Sequence, residues 1–238
     1  MLFELIAFDA DDTLWHSESY YQDTQASLAQ LLQPYGVTAE TVHDTLFHIE
    51  TANLRSLGYG AKAFTISMVE AAIQVTGGRI GALEIAEIIR LGKAMLAHDV
   101  HLLEHSRESV AQLSQSHPLM IITKGDLIDQ QRKLAASGLE HYFQHIEIVS
   151  EKTAAVYAGL LQKHQVSSGR FLMIGNSIRS DVLPVLDLGG WAVYVPYHVT
   201  WAHETMALPG EVSDRFYEIE HLGKLPALVT HLENQQQP

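Results

Sequence analysis

The chain has 238 residues, enough for one good-sized core plus an insertion or a small second domain. Its 47% hydrophobic and 18% charged residues are an ordinary globular balance that argues against extensive disorder. Fifteen basic against 28 acidic residues leave a formal charge of −13, so the surface repels nucleic acid and anionic membranes, and neither is expected as a partner.

There are no cysteines, which removes disulfides, thiolate zinc sites and cysteine nucleophiles together. No stretch approaches the length of a membrane span, and the amino terminus lacks the basic start and cleavage region of a signal peptide. A soluble cytoplasmic protein is therefore the expectation. The fourteen histidines are scattered and read mostly as surface or satisfied core residues.

Leu5-Ile6-Ala7-Phe8 is an apolar run too short for a lone helix, and it predicts a strand buried on both faces of a parallel sheet. It ends abruptly in Asp9-Ala10-Asp11-Asp12-Thr13. Ligands of open α/β sheets bind beyond the carboxyl ends of the strands. Residues two apart share a side while the chain is extended, so Asp9 and Asp11 can face one reacting centre. Carboxylates this close repel unless a cation neutralises them or one holds a proton. The first escape activates an oxyanion substrate, and the second provides a general acid. A structural reading competes: Asp11, Asp12 or Thr13 could cap a following helix.

From Ser17 to about His98 the apolar spacing is helical. Leu28, Leu31 and Leu32 form one stripe, closed by Pro34-Tyr35-Gly36. Val42, Leu46 and Ile49 form another, with Thr38 or Thr41 as amino-terminal cap, and Ala63 to Val75 and Leu83 to Leu96 supply two more. Four such helices make a small bundle lying in sequence between two strands. Within it Arg55, Tyr59 and Lys62 flank Gly58 and Gly60, a loop that could set polar groups over a site, against the plainer reading of solvated loop residues.

Helix and strand then alternate. Helices are expected over Ser106 to Ser116, Leu127 to Ser137 with Gly138 as carboxyl cap, Ala154 to His164, and Ile178 to Leu188. Strands are expected over Leu119 to Ile122, Ile146 to Val149, Phe171 to Ile174 and, closing the series, Trp191 to Val195. The fold class is α/β: a Rossmann-like parallel-sheet core over residues 1–15 and 99–238, with an inserted α-helical domain over 16–98. Glu233 to Pro238 are polar and expected to fray.

Asp9-Ala10-Asp11-Asp12-Thr13 resembles the first motif, Asp-x-Asp-x-Thr, of the haloacid dehalogenase-like hydrolase superfamily, most of whose members are phosphatases. Thr123, after an apolar strand, matches the second motif, and Lys152, just past the next strand, the third. Gly175-Asn176-Ser177-Ile178-Arg179-Ser180-Asp181 is similar to the fourth, usually Gly-Asp with a second Asp a turn later. Asn176 is the departure: its amide oxygen can ligate a hard cation but brings no charge. Taken singly, Thr123 is an ordinary strand residue, Lys152 a solvated lysine at a helix start and Asp181 a first-turn acid favoured by the helix dipole.

The resemblance implies a Mg²⁺-dependent phosphatase of the branch with a helical, C1-type cap that closes over the site and selects a small-molecule phosphate ester. On it, Asp9 is the nucleophile, Asp11 the acid and base, and Thr123 and Lys152 their catalytic partners. Asp9, Ala10, Asp11, Thr123, Lys124 and Lys152 bind the phosphoryl group, while Asp9, Asp11, Asn176 and Asp181 hold the metal. Lys124 is the competitor of Lys152 and ranks second, because its position matches no motif lysine. Dehalogenase, phosphomutase and a non-catalytic binding protein decayed at Asn176 stay open as alternatives, and so does a homodimer.

Overall fold

The computed structural model describes residues 1–207 and 213–235. The chain divides into two compact units: Met1–His16, Val100–Lys124 and Gln131–Pro238 form one, and Ser17–Asp99 with Gly125–Gln130 form the other. No helix among the described residues is long and apolar enough to cross a membrane.

The first unit is built on a six-stranded sheet: β1 (Leu5–Phe8), β2 (Leu119–Lys124), β3 (His145–Val149), β4 (Phe171–Gly175), β5 (Trp191–Tyr194) and β6 (Phe216–Glu218). Every pairing is parallel and the spatial order is β3-β2-β1-β4-β5-β6. The doubly wound parallel sheet expected from the β-α alternation is thus present. Its order reverses beside β1, and ligands of such sheets gather at that reversal.

Alternation along the strands supplies both faces of the core. Ile6, Phe8, Leu119, Ile121, Leu172, Ile174 and Val193 pack with α5 (Ser106–Leu113) and α9 (Leu225–Gln235) through Val110, Leu113, Leu225, Val229 and Leu232. Leu5, Ala7, Met120, Ile122, Phe171 and Met173 face the other way, onto Tyr157 and Leu161 of α7 (Ala154–His164) and Val185 of α8 (Leu183–Asp187). Burying every residue of β1 leaves no polar position until the strand ends, so its first carboxylate emerges at the sheet's carboxyl edge.

The strands expected from the apolar runs shift by one or two residues at their ends, and larger differences follow. The strand series does not close at β5: β6 adds a sixth strand and α9 follows it. With two partly buried residues and one exposed, β6 is an edge strand lacking the apolar run that marks a buried one. The helix expected over Ser106 to Ser116 ends at Leu113, where Gln115 and Ser116 take up short turns onto Gln112 and Leu113 carbonyls, as polar serine-rich segments do. The helix expected over Ile178 to Leu188 is instead a wide π-type turn, Ile178–Val182, followed by α8. The fray expected from Glu233 is not seen through Gln235, where α9 (Leu225–Gln235) is still helical; the rest of that expectation, residues 236–238, lies outside the described residues.

In the second unit, α1 (Glu18–Leu32), α2 (Ala39–Leu57), α3 (Ala61–Val75) and α4 (Ala82–Leu96) enclose Leu28, Leu32, Val42, Leu46, Phe64, Met68 and Ile88. Of the two threonines suggested as cap of α2, Thr38 is the one: its hydroxyl accepts from the Thr41 N–H at 3.2 Å. α3 and α4 meet at Gly92, where a β-carbon would lie 1.9 Å from Thr65 Oγ1, so no larger residue fits.

Glu50 lies on the same stripe of α2 as Leu46, four residues earlier, and burial alone pushes its carboxyl from 4.5 up to about 7. The folded state therefore holds a proton that the unfolded chain releases near pH 4.5, and stability falls as pH rises from there to about 7, then levels off. Glu50→Gln is expected to remove that slope and to be more stable than wild type at alkaline pH by roughly 2–3 kcal/mol. Urea midpoints across the window check this.

Candidate active site

Beyond β1 the ladder runs one residue further, since the Asp9 N–H donates to the Ile174 carbonyl at 2.8 Å. The chain then folds back at once. The Ala10 carbonyl accepts from the N–H groups of Thr13, Leu14 and Trp15, the Asp12 N–H donates to the Trp15 carbonyl, and Asp12 adopts a left-handed φ of 60°. Aspartate tolerates that region better than most residues. The capping alternative for Asp11, Asp12 and Thr13 is set aside, because the next helix starts only at Glu18, after Ser17.

This loop presents Asp9 to a buried cation. Lys152 Nζ donates to Asp9 Oδ1 at 2.5 Å and to Asp181 Oδ1 at 2.6 Å. At 4% exposure, Lys152 is not a solvated surface lysine. Burial disfavours its charge, but Asp181 and Asp9 more than offset that and hold its ammonium above the ordinary lysine range. Asp181 moves up as well: burial raises it, Lys152 opposes, and Asp9 adds to the rise. Two carboxylates around one ammonium leave a net negative charge in a closed space, which favours uptake of a proton or a cation. The other Asp9 oxygen accepts from Thr13 Oγ1 at 3.1 Å, and the same hydroxyl lies 3.2 Å from Asn176 Oδ1. Asp9, Thr13, Lys152, Asn176 and Asp181 thus form one hydrogen-bonded group.

The turn carrying Asn176 and Asp181 has its own logic. A β-carbon on Gly175 would lie 2.1 Å from Asp181 Oδ2, so only glycine lets that carboxylate fold against the end of β4. Asp181 Oδ2 accepts from the Ser177 N–H at 3.0 Å, and Ser177 Oγ accepts from the Ser180 N–H at 3.0 Å. Pro184 has no N–H for the Ser180 carbonyl four residues earlier; the Tyr157 hydroxyl donates to that carbonyl instead, at 3.0 Å. Burial and the nearby carboxylates keep Tyr157 protonated for the purpose. The turn itself is closed by the Leu183 N–H donating to the Ile178 carbonyl five residues earlier, a π form that recurs at functional sites.

Other predicted site residues stand elsewhere. Asp11 is bound through both carboxylate oxygens by Lys133 of α6 (Leu127–Ser137), at 2.6 and 2.7 Å, and accepts from Trp15 Nε1 at 2.6 Å. Thr123 is buried at the end of β2, and its hydroxyl donates to the Lys124 carbonyl at 3.3 Å. Lys124 Nζ donates to Ser180 Oγ at 3.0 Å and to Glu204 Oε1 at 2.5 Å. In the helical unit Lys62 is paired with Asp126 at 2.9 Å, and Arg55 is exposed.

Lys133 and Glu204 went unnoticed in the sequence. Lys133 sits mid-helix with no motif around it. Glu204 had one available signal: it follows the end of β5 by ten residues without a further strand, and long loops of that kind tend to be functional. Burial works against the charge of Glu204, but Lys124 and the Ser177 and Ser180 hydroxyls hold it down to about 2.

Fold and site define a doubly wound parallel α/β core with an aspartate at the topological reversal. A model of the haloacid dehalogenase-like hydrolase family, described as a hydrolase, matches residues 3–188. A solved structure of a haloacid dehalogenase-like family hydrolase from Xanthomonas campestris is 40% identical, covering 98% of this chain and 93% of that one, with a TM-score of 0.88. The chain belongs to the haloacid dehalogenase-like hydrolase family. More distant structures share the fold: a predicted phosphoglycolate phosphatase from Haemophilus somnus 129pt (18% identity, coverage 96% and 99%, TM-score 0.62) and a 2-haloacid dehalogenase from Pseudomonas syringae pv. tomato DC3000 (18%, 97% and 99%, 0.63). No curated protein matches the chain.

Gly175→Ala is expected to drive Asp181 off Lys152. The measurable outcome is a loss of about 2 kcal/mol in urea unfolding, accompanied by loss of hydrolytic turnover even at temperatures where the variant is fully folded.

Proposed function

We propose that the protein is a Mg²⁺-dependent phosphatase that hydrolyses a small-molecule phosphate monoester through an aspartyl-phosphate on Asp9. The observation that carries the reading is the Asp9 carboxylate itself, oriented by Lys152 on one oxygen and Thr13 on the other, with a second carboxyl, Asp11, two residues on.

Asp9 attacks phosphorus as the bond to the ester oxygen breaks, which divides one difficult displacement into two easier ones. Asp11 takes up a proton in place of Lys133 on one carboxyl oxygen, gives it to the departing oxygen, and later takes a proton back from the water that releases phosphate. Lys152, Thr123 and the amides following Asp9 bind the transferring group, work that is largely positioning and electrostatics. Lys124, turned to Ser180 and Glu204, acts from one step further away.

Among the described residues no three His, Cys, Asp or Glu side chains cluster as a metal site. The oxygens that do converge fit a hard cation in kind: Asp9 Oδ2 and Asn176 Oδ1 face one hydroxyl, and Asp181 shares Lys152 with Asp9. Asp9, the Asp11 backbone carbonyl, Asn176 and Asp181 would hold Mg²⁺. It would supply positive charge offsetting phosphate and carboxylates.

A dehalogenase is the second reading, favoured by Asn176, because carbon–halogen displacement needs neither metal nor leaving-group acid. Hydrolysis of an aryl phosphate by wild type and Asp9→Asn, each with Mg²⁺ and with EDTA, separates the two. Turnover that needs the metal and falls about 10³-fold or more in Asp9→Asn is expected. Halide release from a 2-haloacid without phosphate-ester turnover would replace this reading by the second.

A further inference from the structure

One carboxylate ties together the two strands that flank β1. Glu204 Oε2 accepts from the hydroxyls of Ser177 and Ser180, each at 2.6 Å, and its Oε1 accepts from Lys124 at 2.5 Å. Lys124 is the last residue of β2, while Ser177 and Ser180 belong to the turn after β4. β2 and β4 are the neighbours of β1, so Glu204 reaches across the end of the strand that delivers Asp9. A second tie, Arg179 Nη1 to the His203 carbonyl at 2.7 Å, joins the same loop to the same turn.

The hydrogen-bond directions require a carboxylate. Ser177 Oγ already accepts from the Ser180 N–H, so its proton must go to an acceptor. Ser180 Oγ accepts from Lys124, which likewise leaves it a donor toward Glu204. An ammonium and two hydroxyls therefore all donate to one side chain, and only an acceptor on both oxygens satisfies them. Glutamine at this position would turn a donating amide toward the serines or toward the lysine.

We propose that Glu204 is a positioning residue of the hydrolytic site: by holding Lys124, Ser177 and Ser180 it fixes the turn that carries Asn176 and Asp181 against Lys152 and Asp9, and so sets the opening in which the reacting group is held. The effect on turnover rests on the reading of Asp9 as nucleophile, whereas the effect on the turn does not. Misplacement of a site by about 1 Å is enough to cost on the order of 10²-fold in rate.

The test joins two readouts on wild type, Glu204→Gln, Glu204→Asp and Ser180→Ala: kcat and KM for aryl-phosphate hydrolysis, and amide hydrogen exchange. Glu204→Gln is expected to lower kcat by roughly 10–100-fold with KM changed far less. The Ser180 and Asp181 amides, which donate to Ser177, should exchange at least about tenfold faster while β1, β2 and β4 keep their protection. Glu204→Asp should recover part of both effects. Ser180→Ala, which removes one hydroxyl arm and keeps the ion pair, should show the same local exchange effect in milder form; it decides the matter if Glu204→Gln does not fold. Wild-type exchange and wild-type kcat in a folded Glu204→Gln would overturn the assignment, as would faster exchange spread evenly over the sheet. If wild type hydrolyses no phosphate ester, the phosphatase reading fails on its own and the exchange result still decides the role of Glu204.

Discussion

The structure turns on one ammonium held between two carboxylates. Lys152 meets Asp9 from the end of β1 and Asp181 from the turn after β4, out of reach of bulk water. Removing one partner from such a group leaves an uncompensated buried charge, a cost of about 3–5 kcal/mol. The fold is arranged so that this does not happen. Direct pairing of β1 with β4 fixes the distance between the two carboxylates, Gly175 leaves room for Asp181, and the start of α7 brings Lys152 to the same point. What remains is an excess of one negative charge, the condition in which a carboxylate is kept oriented and reactive and in which a divalent cation or a proton is welcome.

Much of this was legible in the residues. Leu5 to Phe8 announced a doubly buried strand because four apolar side chains in a row cannot be half-exposed, and Asp9 had to appear where they stop. Lys152, Asn176 and Asp181 were picked out by resemblance to the family's motifs: each follows a strand whose end the pattern marked, but taken singly none stood apart from an ordinary lysine, asparagine or first-turn acid. Lys133 and Glu204 were not, because their partners lie far away in sequence and their own neighbourhoods carry no periodic signal. The π-type turn was not legible: a helix was expected straight through Pro184, and the use of the Ser180 carbonyl by Tyr157 is a tertiary event. β6 escaped because three residues with none fully buried give no pattern, and Lys124 was assigned to phosphate because nothing local reveals the carboxylate that draws it toward Ser180.

The chain also separates its global charge from its local charge. The formal charge is −13, while three lysines, 124, 133 and 152, are gathered around the carboxyl end of the sheet, each already engaged with a carboxylate. A small anion can enter by exchanging partners with these groups, since every exchange preserves charge balance.

The central claim is that Asp9 becomes covalently bonded to phosphorus. Its most direct test is rapid acid quenching of wild type during turnover of an aryl phosphate, followed by mass analysis of the peptide that contains Asp9. The account predicts a phosphoryl adduct on Asp9 that forms within the turnover time and disappears as substrate is exhausted. Turnover of the ester with the adduct on another residue, or with none trapped while phosphate release proceeds in a single step, would contradict it.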